Sequence, residues 1–158
     1  YQETRLHETL LHRFQKTIPS VCHQIEFLPW VTQTDFFHFL NEADVILDPF
    51  HFGAGNTAYL SFAVGTPLVT YPSPYLRSRS TYALYQQMEI TGMIAHSVEE
   101  YVEITCKIAN NKDKRQELKE KILNAHPKLF NSNQGIEDFF HFLKSLNTQS
   151  PLNKGRAK

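Results

Sequence analysis

Apolar residues recur along this chain in two rhythms, and the alternation between them sketches a fold. Leu6, Leu10, Leu11 and Phe14 lie three and four residues apart, the spacing that lines one side of a helix, and Pro19 closes the segment. Residues 24–28 form a short apolar run halted by Pro29, which predicts a strand. Thr32 followed three residues later by Asp35 predicts a capping box opening a helix, with Phe36, Phe39, Leu40 and Ala43 as its buried stripe. Val45, Ile46 and Leu47 are continuously apolar, as in a strand of a parallel sheet covered on both faces. A loop rich in Pro, Gly and Asn follows, then a helical stretch over residues 58–64 stopped by Gly65. Residues 68–71 read as a second buried strand, Pro72 and Pro74 as a loop, and residues 78–87 as a helix carrying Tyr82, Leu84 and Tyr85.

Further on, Ser97 and Glu100 predict another capping box, and Val98, Tyr101, Val102, Thr105, Ile108 and Ala109 keep one helix face apolar. Residues 113–124 read as a charged, largely exposed helix. Residues 135–146, with Ile136, Phe139, Phe140 and Leu143, read as a strongly amphipathic closing one. The polar tail 147–158 is expected to be disordered.

Strands alternating with helices predict an α/β fold: a Rossmann-like parallel sheet with flanking helices, right-handed crossovers and ligands beyond the carboxyl ends of the strands. About four strands can be counted, against roughly six in a full doubly wound domain. The deficit lies at the amino end. The expectation is therefore one domain over residues 1–146, N-terminally incomplete, with its missing strands supplied from upstream.

Composition narrows the partners. The chain has 158 residues, 41% of them hydrophobic, enough for one compact domain. Sixteen Lys and Arg balance sixteen Asp and Glu, so no net basic field draws the molecule to nucleic acid or anionic lipid. No apolar run reaches the roughly 18 residues of a membrane span, and residues 1–8 show no signal-peptide core, so a soluble, cytoplasmic chain is expected. Cys22 and Cys106 stand far apart, and the eight histidines form no HExxH or i, i+4 pair, so neither a metal site nor a redox motif is expected.

One segment carries chemistry. Gly53, Ala54, Gly55, Asn56 and Thr57 lie where a buried strand turns into a helix, and free backbone amides there, with the helix dipole, suit an anion. Glycines admit close approach to a diphosphate, while the Asn56 amide and Thr57 hydroxyl can donate to it. No lysine accompanies them, which excludes a Walker A loop, and the glycine spacing is not that of a dinucleotide fingerprint. By local features alone, a tight turn with an ordinary N-cap explains the segment equally well. His51, Arg77 and Arg79 are further candidates for contact with a donor or an acceptor.

A longer string decides between these readings. Ala43-Asp44-Val45-Ile46-Leu47-Asp48-Pro49-Phe50, the 53–57 loop, and Ala63-Val64-Gly65-Thr66-Pro67-Leu68-Val69-Thr70 together resemble the protein O-GlcNAc transferase family and its plant SPINDLY-type relatives. Those proteins carry an A-D-V-x-L-D strand end, a G-x-T-T-like helix start and A-x-G-x-P-V-V-T into the next strand. The resemblance extends more loosely over residues 27–146. It implies the C-terminal half of a GT-B glycosyltransferase, which binds the nucleotide part of UDP-GlcNAc, needs no metal, and transfers the sugar to Ser or Thr of a protein acceptor. It also implies that the N-terminal GT-B domain, usually preceded by tetratricopeptide repeats, lies upstream together with the histidine and lysine that serve the reacting sugar and diphosphate. No catalytic residue is therefore expected in this chain.

The match is incomplete at the site. The family's paired threonines fall on Asn56 and Thr57, and its ribose-binding acid falls on Leu60, which cannot accept a hydrogen bond. A histidine and an arginine that the animal enzymes place near the uracil fall on Phe36 and Phe39. Two alternatives therefore stand beside the donor-binding reading: a truncated or degenerate interaction module, and a GT-B transferase using another nucleotide sugar.

Overall fold

A computed structural model of the chain describes residues 2–149, with side chains for residues 5–146. Its contacts divide it into two compact units that meet in sequence between Phe36 and Phe37.

In the first unit, α1 (Gln2–Thr17) half-buries Leu10, Leu11 and Phe14 and leaves Leu6 exposed. The run 24–28 is not a strand. A 3-10 turn, Cys22–Gln24, takes its beginning, and the Ile25 amide donates back to the Cys22 carbonyl at 3.1 Å. A strand needs a hydrogen-bonded neighbour, and here the apolar side chains serve local packing instead. Phe27 stacks on His7 with ring centroids 4.1 Å apart and tilts against Phe14. α2 (Gln33–Glu42) begins in the first unit and continues past Phe36 into the second, and it opens at the expected cap: Thr32 Oγ1 accepts from the Asp35 amide at 3.2 Å and donates to the Asp35 carboxylate at 2.7 Å. Of its predicted stripe only Leu40 is fully buried, while Phe39 is exposed.

The second unit is built on a small parallel sheet. β1 (Ile46–Leu47) pairs with β2 (Leu68–Val69), Ile46 opposite Leu68 and Leu47 opposite Val69. One further bridge, Thr70 to Ile94, adds a third strand position on the other side of β2. Among the described residues, two strands and a bridge thus stand where about four strands were expected. β1 is not covered on both faces, since Leu47 is 53% exposed, whereas Leu68 and Val69 are fully buried. The edge of β2 beside Leu68 is closed by a side chain: the Tyr85 hydroxyl donates to the Leu68 carbonyl at 2.8 Å and accepts from its amide at 3.0 Å.

Helices supply most of the core. α3 (Asn56–Val64) connects β1 to β2 and ends at Gly65, whose φ of 84° is left-handed and needs no Cβ penalty in glycine. A Cβ there would lie 2.8 Å from Lys119 Cγ, because α6 (Lys112–Asn124) crosses against the helix end. α4 (Ser80–Met88) follows a 3-10 turn, Leu76–Ser78. α5 (Val98–Ala109) is capped by Ser97 Oγ, which accepts from the Glu100 amide at 3.1 Å. The reciprocal half of the expected capping box moves one residue earlier, to the His96 amide, which donates to Glu100 at 2.7 Å. Phe62, Leu68, Val69, Tyr85, Met93 and Ile122 form the centre of the core.

Arg115 joins the chain's middle to α6: it pairs with Asp44 at 2.9 Å and donates to the carbonyls of Ile108 and Ala109 at the end of α5. α7 (His126–Phe130), with Pro127 in its first turn, was not foreseen from the pattern. α8 (Gln134–Gln149) forms as predicted, yet every described side chain on it is exposed, Ile136, Phe139, Phe140 and Leu143 by 47 to 71%. Its helical backbone takes in residues 147–149 of the expected tail, and residues 150–158 lie outside the described residues. No described helix is long and apolar enough to cross a membrane.

Candidate functional site

Two loops leave the carboxyl ends of β1 and β2 side by side, and a buried carboxylate joins them. Asp48, the residue after β1, is 2% exposed. One of its oxygens accepts from the Ala54 amide at 2.6 Å, and the other accepts from the Thr70 hydroxyl at 2.7 Å. Its own amide donates to the Val69 carbonyl and its carbonyl accepts from the Tyr101 hydroxyl. The glycine loop is thereby tied at once to the strand before it, the neighbouring strand and α5.

Gly53 sits where a side chain would be crowded: a Cβ would stand 3.2 Å from Asp48 Oδ1 and 3.4 Å from the Arg77 carbonyl. Its amide donates to that same carbonyl at 2.8 Å. Gly55 has φ 50° and ψ −119°, a conformation that side-chain-bearing residues rarely adopt, and no side chain caps the helix it precedes. Thr57 and Ala58 turn their amides back onto the Ala54 and Gly55 carbonyls, while the Gly55 and Asn56 amides find no acceptor among the described residues. Two donors, with an exposed Asn56 and a half-buried Thr57 beside them, thus stand at the positive end of α3.

The other predicted contacts divide. Arg77 belongs to the same rim: its Nε donates to the His51 carbonyl at 2.9 Å and its guanidinium lies over the Tyr75 ring. His51 enters through its carbonyl, and its side chain is exposed. Arg79 serves the second loop, donating to the Ser73 carbonyl at 3.1 Å and lying over Tyr82. That loop is further braced by Ser78, whose hydroxyl contacts that of Ser73 and accepts from the Ser73 amide. Leu60 is half-buried on α3, and the adjacent Ser61 is buried and donates to the Thr66 carbonyl, so Ser61 is committed to the turn after the helix.

Sequence reasoning missed the residues that hold the loop rather than those that face outward. Asp48 stood in the quoted string without a role, and Phe50, packed edge-on against both Tyr71 and Tyr101, was unmarked. An acid placed directly between a buried strand and a glycine loop was the available signal. Among the described residues no group of three or more His, Cys, Asp or Glu is gathered that could hold a metal.

Fold and loop together define an α/β protein with a glycine-bearing strand-to-helix turn at the carboxyl ends of a parallel sheet, the position at which such folds take ligands. The chain belongs to glycosyl transferase family 41, whose sequence profile matches residues 11–139. Among solved structures it is similar to a mutant of the O-GlcNAc transferase of Thermobaculum terrenum, with 22% identity and a TM-score of 0.74. That likeness covers 84% of this chain and 26% of the other, so the chain spans about a quarter of the matched protein's length. At this identity the likeness shows the fold. No curated protein matches the sequence.

Proposed function

We propose that this chain is the donor-binding portion of a family 41 glycosyltransferase, holding the diphosphate of a nucleotide sugar, UDP-GlcNAc in the first instance, at residues 53–57. The observation that carries this reading is the pair of unpartnered amides, Gly55 and Asn56, at the start of α3, in a loop whose shape Asp48 holds in advance. Preset donors of this kind stabilise the charge that develops on a leaving nucleoside diphosphate, because they need not reorganise as the bond breaks. The Asn56 amide and Thr57 hydroxyl extend the same donor set, and Arg77, bound to the loop through the His51 carbonyl, brings a positive charge to its rim.

Transfer to a Ser or Thr hydroxyl of a protein acceptor also needs a group that assists the acceptor and one that binds the sugar. In this proposal both come from outside the chain, in keeping with its covering 26% of the matched transferase. The working protein is then a soluble, cytoplasmic two-domain GT-B enzyme, and this chain alone is inactive.

Calorimetric titration of UDP into the chain, after cooperative unfolding has been shown, tests the site. Saturable binding that weakens at least about tenfold in Asn56→Ala/Thr57→Ala is expected, the loss of two polar contacts to a charged ligand. Tighter binding of a different nucleoside diphosphate would assign another donor. A folded chain that binds none of them would favour the interaction-module reading, for which Leu60 at the ribose position is the specific observation.

A further inference from the structure

At the amino end of the sheet, opposite the candidate donor loop, lies an open cavity of about 680 Å³. The connection from α4 to Ile94 forms one wall, and the last turns of α5 with α6 and α7 form the others. Its floor is apolar and belongs to the core: Ile90, Met93, Ile108 and Leu118 are each less than a tenth exposed. Its rim is cationic. Lys107 from α5, Lys114 and Lys121 from α6, and Lys128 from α7 line it, against a single acid, Glu89.

Only part of that charge is answered within the chain. Glu89 pairs with Lys128 at 2.5 Å, and Glu117, outside the cavity, takes Lys114 at 2.8 Å and Lys121 at 2.5 Å. Lys107 has no acidic partner among the described residues. Four lysines on three helices face two carboxylates, Glu89 and Glu117, so the opening keeps a local excess of positive charge that an anionic ligand can answer. The overall balance of sixteen basic and sixteen acidic residues hides this local excess.

Rim and floor together select the ligand. No arginine lines the cavity, so its charges are lysine ammonium groups, which donate to carboxylate and phosphate oxygens alike. The lysines are separate point charges spread over three helices, and separate carboxylates along a peptide can meet them. The floor asks for an apolar side chain between them. We propose that this cavity docks an acidic peptide segment of a partner protein, with an apolar residue seated on Ile90, Met93 and Leu118 and flanking carboxylates held by Lys107, Lys114, Lys121 and Lys128.

The probe is a fluorescein-labelled peptide of glutamates flanking a central leucine-phenylalanine pair, titrated into the chain and followed by anisotropy. Saturable binding that weakens with added salt is expected, with a loss of at least about tenfold in Lys107→Glu/Lys128→Glu. Both positions are exposed, and thermal unfolding of the variant checks that the fold is kept. Lys112→Glu/Lys144→Glu makes the same charge change at positions that do not line the cavity and is expected to lose clearly less affinity. Equal losses in the two variants would reduce the binding to general charge attraction and overturn the proposal. So would undiminished affinity for a peptide whose leucine and phenylalanine are replaced by serine. Displacement of the peptide by inorganic phosphate or by a short single-stranded oligonucleotide would give the cavity to phosphate ligands and overturn it as well.

Discussion

At the end of β1 the Asp48 carboxylate accepts from a loop amide six residues on and from a hydroxyl 22 residues on, both within 2.7 Å. Removing it strands two donors in a site almost without water. Asp48→Ala is therefore expected to lower the unfolding free energy by about 3 kcal/mol, the sum of two hydrogen bonds to a charged group, read by urea denaturation. Under the proposed donor-binding function, UDP affinity should fall with it, because the Gly55 and Asn56 amides lose the loop geometry that Asp48 holds. A loss of stability below about 1 kcal/mol would mean that the loop keeps its shape without the carboxylate. From sequence, Asn56 and Thr57 could be put forward as donors because a place at a helix start depends on local position. Asp48 was not, because its partner Thr70 comes from the next strand and only pairing brings the two together.

Among the elements, α3 shows how a local rule and a long-range contact coincide on one residue. Gly65 ends the helix in the left-handed region, which its position before β2 predicts, but its second constraint is the 2.8 Å approach of Lys119 Cγ from α6. Gly65→Ala should cost about 1–3 kcal/mol by chemical denaturation, from backbone strain and the displaced side chain together. Gly92 has a similar φ of 89° and nothing within 4 Å of a built Cβ, so Gly92→Ala should cost clearly less. Equal costs would show that backbone strain alone governs both positions. The same division runs through the helices. Caps at Thr32 and Ser97 were legible because they are made within four residues, whereas the strand predicted over residues 24–28 failed because no neighbouring chain supplies its ladder.

Across the whole molecule, two buried phenols lock helices to the sheet: Tyr85 ties α4 to β2 and Tyr101 ties α5 to the end of β1. Burial holds both hydroxyls above the ordinary phenol range, and the nearby Asp48 adds to the effect, placing Tyr101 at about 12. The folded state therefore keeps protons that the unfolded chain releases near 10. Their contribution is complete below that pH and is lost as pH rises through the folded values. Stability measured by urea unfolding should thus decline steadily above pH 10, and Tyr101→Phe should make the decline shallower. An unchanged slope in that variant would remove Tyr101 from the account. The sequence by itself determined what nearest neighbours decide: helix periodicity, cap residues, the glycine-bearing turn and its offer of free amides. Tertiary structure alone decided how few residues pair as strands, which carboxylate holds the loop, and that the apolar face of α8 stays uncovered among the described residues. Amphipathic spacing states that a face is suited to burial, and only the packing of distant elements determines whether anything buries it.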